Sequence, residues 1–78
     1  MNATRRNNLR KLSSLIAEAR TILEETTEAE RAALDNTPEA LQQTERFERD
    51  DENCSQLEDA VTALEDLDSL LDDILDNA

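Results

Sequence analysis

Paired carboxylates that recur every seven residues are the side chains of this sequence best suited to chemistry. Three Leu-acid-acid repeats near the end of the chain supply Glu58, Asp59, Glu65, Asp66, Asp72 and Asp73. On a helix these acids form two adjacent files on one face, with a rise of about 10 Å per repeat. Such files suit three kinds of chemistry: attraction of a basic partner, coordination of a hard cation, and acid–base catalysis.

The rest of the sequence gives little support to coordination of a hard cation or to acid–base catalysis. Asp66, Asp68, Asp72 and Asp73 offer oxygen ligands, but the Gly of an EF-hand loop is missing, and the chain has no His for zinc or di-iron. Catalysis would depend on exposed carboxylates, which lack the burial that shifts a pKa. We therefore expect no metal, no cofactor and no active site.

Attraction of a basic partner is favoured by the uniform sign of the acidic face. Residues 50–78 contain eleven acids and no base, whereas a face that only solubilises a helix usually mixes both signs. We predict that the paired acids bind a Lys- and Arg-lined surface in the manner of a phosphate backbone. The alternative is a structural or adaptor bundle that binds through an apolar flank, with the acids serving only for solubility.

The elements that must position these acids are helical. Leu and Ile dominate the large apolar residues, and the chain has no Trp, Tyr or Gly. Apolar residues recur at spacings of three and four from Leu9 onwards, which predicts a helix over about residues 4–34. A turn and short helix follow over residues 35–44, where Thr37-Pro38-Glu39 is typical of an N-cap and first turn.

The start of the last, acidic helix is open between two capping signals. Thr44 can cap a helix that begins near residue 45, whereas Ser55 and Glu58 form a capping box for one that begins near residue 55. We expect the helix to end close to Asn77. Its apolar residues occupy three heptad positions, a stripe too wide for one partner helix.

Two long helices and a short connecting helix predict an all-α antiparallel hairpin, in one domain spanning residues 1–78. Because a hairpin leaves one flank of each helix exposed, we predict a homodimer that forms a four-helix bundle. The predicted core and dimer residues are Leu12, Ile16, Leu23, Leu57, Val61, Leu64, Leu67, Leu71 and Ile74.

The formal net charge of −12 is distributed as a gradient, since residues 1–20 carry a net +4. A hairpin would bring this basic end beside the acidic end, and each cluster would relieve the other at its unfavourable helix terminus. The bases are Arg5, Arg6, Arg10 and Lys11, and the acids are Asp72, Asp73 and Asp76. Nucleic-acid contact is the alternative for the basic end, but the aromatics that accompany single-strand binding are missing.

The turn and its flanks carry a recognisable motif. Residues 33–42, ALDNTPEALQ, are followed by Thr44-Glu45-Arg46. This segment resembles the "DN-x-PE-x-LQ" and "[ST]ER" pattern of small acidic helical proteins of phages and prophages. The resemblance covers about residues 17–75, and the sequence departs from the pattern after Arg46, where Phe47 stands in place of a small residue.

The resemblance implies a mobile-element origin. Small acidic phage proteins often inhibit host defence enzymes, including CRISPR effectors and restriction systems, by occupying a nucleic-acid site. We therefore predict a non-enzymatic DNA mimic that binds a basic surface of a host protein, with no direct contact to nucleic acid.

The expected compartment is the cytoplasm of the host cell. No apolar run approaches the roughly 20 residues of a membrane helix, and no cleavable apolar segment follows the basic N-terminus. We expect no membrane partner. The single Cys54 is expected to serve as a small apolar filler.

Overall fold

Two long antiparallel helices make up the architecture in the computed structural model, which describes residues 1–78. Helix α1 spans Ala3–Asp35 and helix α2 spans Glu45–Asp76, with a short 3₁₀ helix, Glu39–Leu41, between them. The molecule is a rod whose Cα atoms extend over 59 × 15 × 14 Å. The predicted all-α antiparallel hairpin is confirmed, and the four-helix bundle of two copies stays a prediction.

Both long helices begin at a side-chain cap. The Asn2 oxygen Oδ1 accepts from the Arg5 backbone N–H at 2.9 Å, and Thr44 Oγ1 accepts from the Phe47 backbone N–H at 3.2 Å. Each bond satisfies one of the N–H groups that the first turn leaves without a partner. Helix α2 therefore begins at the earlier of the two capping signals, and Ser55 lies inside the helix.

The turn corrects one expectation, because Thr37 does not cap the short helix. Pro38 holds the cap position without a side-chain hydrogen bond. The Thr37 hydroxyl instead donates to the carbonyl of Ala33 at 3.2 Å, since a carbonyl in the last turn of α1 has no backbone donor. Gln42 Nε2 then donates to the Thr37 carbonyl at 3.1 Å. The chain reverses with no residue at positive φ, which is how it turns without Gly.

The helices pack along one heptad seam, in which the buried and half-buried residues alternate at spacings of three and four. On α1 the seam contains Leu9, Ser13, Ile16, Arg20, Leu23, Thr27, Arg31 and Leu34. On α2 it contains Phe47, Asp50, Cys54, Leu57, Val61, Leu64, Asp68, Leu71 and Leu75. Only Ile16, Leu34, Cys54 and Leu71 are buried, so the core is a single narrow row of side chains.

Several seam positions are polar. Ser13 Oγ donates to Asp68 Oδ1 at 3.2 Å across the seam, and Thr27 Oγ1 donates to the Leu23 carbonyl at 2.7 Å within α1. A polar pair in a coiled-coil seam lowers stability but favours one register over its neighbours. The Ser13–Asp68 pair therefore helps to specify how the two helices align.

Replacing Thr44 by Ala is expected to destabilise the fold by about 1 kcal/mol, because the first turn of α2 loses its side-chain acceptor. Urea unfolding followed by circular dichroism measures the change. The matched control is Ser55→Ala, which removes a hydroxyl from the helix interior and is expected to leave stability within about 0.5 kcal/mol. A larger loss for Ser55→Ala than for Thr44→Ala would contradict this helix start.

Candidate partner-binding surface

The phase of the seam decides which acids of α2 face outward. A residue directly after a seam Leu lies beside the seam, and the next residue points away from α1. The inner file, beside the seam, is Asp51, Glu58, Glu65 and Asp72. The outer file, opposite the seam, is Glu45, Glu52, Asp59, Asp66 and Asp73.

Bases of α1 engage most of the inner file. Arg31 Nη2 lies 2.7 Å from Glu58 Oε1 and Arg31 Nη1 lies 3.4 Å from Asp51 Oδ1. Arg20 Nη2 lies 3.1 Å from Glu65 Oε1. Glu58 and Glu65 therefore hold the hairpin's own arginines, and their predicted contact with a partner stays a prediction. We call this side of the hairpin the paired side.

Both arginines have a raised pKa. For Arg20 the main cause is a hydrogen bond to Glu24, and the charge of Glu65 adds to it. For Arg31 the main cause is a hydrogen bond to Glu58. The two guanidinium groups therefore stay charged, but the pairs are solvent-accessible and salt screens them.

The outer file has no such partners. Its five acids are all exposed, and none of them forms an ion pair. Of the predicted partner-binding residues, Asp59, Asp66 and Asp73 lie in this file, and Asp72 is an unpaired member of the inner file. Sequence reasoning missed Glu45 and Glu52, although their seven-residue spacing to Asp59 was a usable signal.

The two charged ends are brought together as expected, through proximity and not through direct ion pairs. The bases of α1 and the acids of α2 meet at the open end of the hairpin, but no ion pair joins the two clusters. Arg6 Nη1 donates to the Met1 carbonyl at 2.7 Å, and Arg10 Nη1 donates to Asn7 Oδ1 at 3.2 Å. These side chains find acceptors three to five residues away in the N-terminal part of their own chain segment, which costs less side-chain ordering than reaching across to α2.

An exposed apolar stripe runs along the side of the hairpin opposite the paired side. Its large residues range from 41% exposed for Leu12 to 65% exposed for Ile22. They are Leu12, Leu15 and Ile22 of α1 and Leu67, Leu70 and Ile74 of α2. Each directly precedes a seam residue, and in antiparallel helices such residues fall on the same side. We call this surface the apolar face.

A groove farther along the same side supports that geometry, because Thr26 and Glu30 of α1 line it together with Asn53 and Gln56 of α2. Three of the predicted core and dimer residues, Leu12, Leu67 and Ile74, lie on the apolar face. The other six lie in the seam.

Cys54 is fully buried in the seam, at 0% exposure, so its expected position as a filler is confirmed. Burial raises the pKa of its thiol, and the positive charge of Arg31 opposes that shift. Because the thiolate is the reactive form, the raised pKa keeps this thiol in its inert state.

The raised pKa of Cys54 predicts a loss of stability at alkaline pH. The folded state holds the thiol proton more tightly, so the unfolded state releases it first as the pH passes the ordinary value of 9.0. The free energy of unfolding should therefore fall above that pH. Urea unfolding of the wild type and of Cys54→Val, compared from neutral to alkaline pH, measures the effect. An equally steep fall in the variant would contradict this origin.

No group of three or more Cys, Asp or Glu side chains is placed to hold a metal ion. Neither long helix contains an apolar stretch sufficient to cross a bilayer. Comparison with protein-family models, with curated proteins and with solved structures finds no match. A functional proposal is therefore argued from the charge and exposure of the hairpin's surface.

Proposed function

We propose that this chain is a non-enzymatic binding protein whose outer file covers a basic, nucleic-acid-binding surface of another protein. The observation that carries this proposal is the outer file itself, an exposed line of acids without ion pairs. From Glu45 to Asp73 the line is about 42 Å long at the rise of an α-helix. It is therefore slightly longer than one turn of B-DNA, about 34–36 Å.

Electrostatics defines how such a partner is recruited. A formal net charge of −12 on a narrow rod attracts a basic surface over a distance comparable with the Debye length. Binding should accelerate at low salt and weaken steeply as salt rises, as it does for proteins that neutralise phosphates. The outer file then aligns the two molecules, because its acids are free to meet Lys and Arg side chains.

The turn motif suggests the biological setting. Its resemblance to small acidic phage and prophage proteins supports a role as an inhibitor of a host defence or nucleic-acid-binding protein, of the anti-CRISPR or anti-restriction kind. The proposed place of action is the host cytoplasm. The mechanism needs only occupancy of the target's nucleic-acid site, so it requires no cofactor and no catalytic residue.

In the absence of its target, the chain is proposed to form a homodimer through the apolar face, as a four-helix bundle. In a face-to-face arrangement with neighbouring helices antiparallel, Asp59 and Asp66 approach Glu25 and Glu18 of the second copy. Because these like charges repel and salt screens them, the dimer fraction should rise with salt. Sedimentation at micromolar concentration in low and high salt measures it. A monomer under both conditions would contradict dimerisation.

Replacing Asp59, Asp66 and Asp73 by Asn tests the proposed surface. Capture of the partner from host lysate at about 150 mM salt should weaken at least tenfold, since three free carboxylates are lost without change of side-chain size. The affinity of the captured protein for wild type and variant, measured at two salt concentrations, gives the result. Undiminished binding would overturn the acidic-surface proposal in favour of the adaptor alternative.

The matched control lies on the paired side, where Glu28, Asp35 and Asp76 are exposed and form no ion pair. Changing them to Gln, Asn and Asn alters the net charge by the same amount. This control should reduce affinity far less than the outer-file variant does. Equal losses would show that net charge, not the outer file, holds the partner.

A further inference from the structure

The apolar face is bordered by charged residues along both outer edges. On each helix the border residues recur every seven residues, and each stands directly before a position on the side of the apolar face, a rotation of about 100°. On α2 the border is Asp59, Asp66 and Asp73, and on α1 it is Lys11, Glu18 and Glu25. The face is therefore an apolar floor with acids on both sides and one Lys at the open end.

The floor has a definite length. On α2 it extends from the half-buried Ala60, seven residues before Leu67, to Ile74, about 21 Å at the rise of an α-helix. Toward the turn it gives way to the polar groove lined by Thr26, Glu30 and Asn53. Its width follows from the rod, whose smaller Cα extents are 15 and 14 Å, while a helix with side chains is about 10–12 Å in diameter. One helix of about four turns fits this surface.

We propose that the apolar face is the docking site for a basic amphipathic helix of the target protein. This inference rests on the proposed function, because it specifies that the partner's basic surface includes an amphipathic helix. Apolar residues of the docked helix, spaced at i, i+3, i+4 and i+7, contact Leu15, Leu67 and Leu70. Its Lys and Arg side chains flank that stripe and reach Asp59 and Asp66.

Charge complementarity selects this occupant over the alternatives. An acidic helix, or a second copy of the chain, places carboxylates beside Asp59 and Asp66, and like charges across an interface suppress binding. A basic helix meets opposite charges along both edges of the floor. The target helix therefore displaces the second copy from the free dimer. Rising salt should weaken the complex with the basic helix and strengthen the dimer.

A labelled 18-residue peptide tests this site, with Leu and Lys arranged in the helical period so that Leu forms one stripe. Fluorescence anisotropy with the full chain measures its affinity. Two peptides serve as controls: the same pattern with Glu for Lys, and the same composition in strict Leu-Lys alternation. The helical Lys peptide should bind at least tenfold more tightly than either. Equal binding of the alternating peptide would reduce the interaction to charge alone and overturn the proposal.

Variants then locate the peptide. Leu15→Gln with Leu70→Gln removes two exposed floor residues and should weaken peptide binding at least tenfold while the helical circular dichroism is retained. The matched control is Ser14→Gln with Ser69→Gln, two exposed positions away from the apolar face, and it should bind as the wild type does. Equal affinities for the two double variants would overturn the proposed site.

The two proposals fail in distinguishable ways. If the floor variant captures the lysate partner normally, the docking site is wrong and the acidic-surface function stands. If the Asn variant of Asp59, Asp66 and Asp73 captures it normally, the proposed function itself is wrong. Sedimentation of the peptide complex adds a third outcome. If the peptide binds while the dimer stays intact, the second copy still covers the apolar face, and the proposed docking site is wrong.

Discussion

Replacing Leu71 by Ala is expected to destabilise the hairpin by about 2–4 kcal/mol. Leu71 is 5% exposed and is one of only four buried residues, so its loss leaves a gap that few neighbours can fill. A chain of this size has a total stability of roughly 4–12 kcal/mol. The midpoint of thermal unfolding should fall by at least about 10 °C, as followed by circular dichroism.

The adjacent residue provides a matched control, because Leu70 is 59% exposed. Leu70→Ala makes the same chemical change on the apolar face and should cost less than about 1 kcal/mol in the monomer. Both variants should be measured at low concentration and low salt, where the proposed dimer is least populated. A greater loss for Leu70→Ala than for Leu71→Ala would contradict the observed phase of the seam.

Replacing both Ser13 and Asp68 by Leu is expected to stabilise the hairpin by about 1–4 kcal/mol. These half-buried residues interrupt an otherwise apolar stretch of the seam, and exchanging a buried polar pair for well-packed apolar residues is often stabilising by this amount. The expected cost is in specificity, because a wholly apolar seam tolerates other registers. The urea midpoint, at an unchanged slope, measures the gain.

The single variants complete a double-mutant cycle. Ser13→Leu leaves the Asp68 carboxylate against an apolar side chain without its hydroxyl donor, so this variant should be less stable than the wild type. Asp68→Leu removes the charge and should come close to the double variant. Additive effects of the two changes would contradict a direct interaction between Ser13 and Asp68.

Much of the hairpin was predictable because its signals are local. Apolar periodicity defines α1, and a turn flanked by Asn36 and Pro38 separates it from the acidic helix. Thr44 is a strong cap, but the polar run that follows it made the Ser55 capping box an equal candidate. The structure selects Thr44 because Phe47 begins the seam only three residues later, and a half-buried contact with α1 favours helix throughout that segment.

The division of the acids was harder to predict, because it depends on the phase of one helix against the other. Because Leu57 lies in the seam, Glu58 is turned toward α1 and Asp59 away from it. Arg31 then reaches Glu58 and Asp51, which no local pattern specifies. The N-terminal bases illustrate the same limit, since Arg10 bonds to Asn7 in its own helix although acids of α2 lie at the same end.

These contacts change which surface a partner can meet. Asp51, Glu58 and Glu65 of the inner file are used within the hairpin, whereas every acid of the outer file, which borders the apolar face, is without an ion pair. From the sequence, an acidic surface and an apolar flank were alternative binding sites. In the structure the outer file and the apolar face are neighbours on one side of the rod. A partner with a basic amphipathic helix would use both.

Competition between duplex DNA and this protein for the captured partner tests the proposed function most directly. The partner is mixed with a labelled duplex of about 20 base pairs, longer than the roughly 12 that match the outer file, and this protein is titrated in at constant salt. Mutually exclusive binding is predicted, with the duplex released in proportion to the complex formed. The Asn variant of Asp59, Asp66 and Asp73 should release at least tenfold less effectively. A stable ternary complex of partner, duplex and wild-type protein would contradict the proposal.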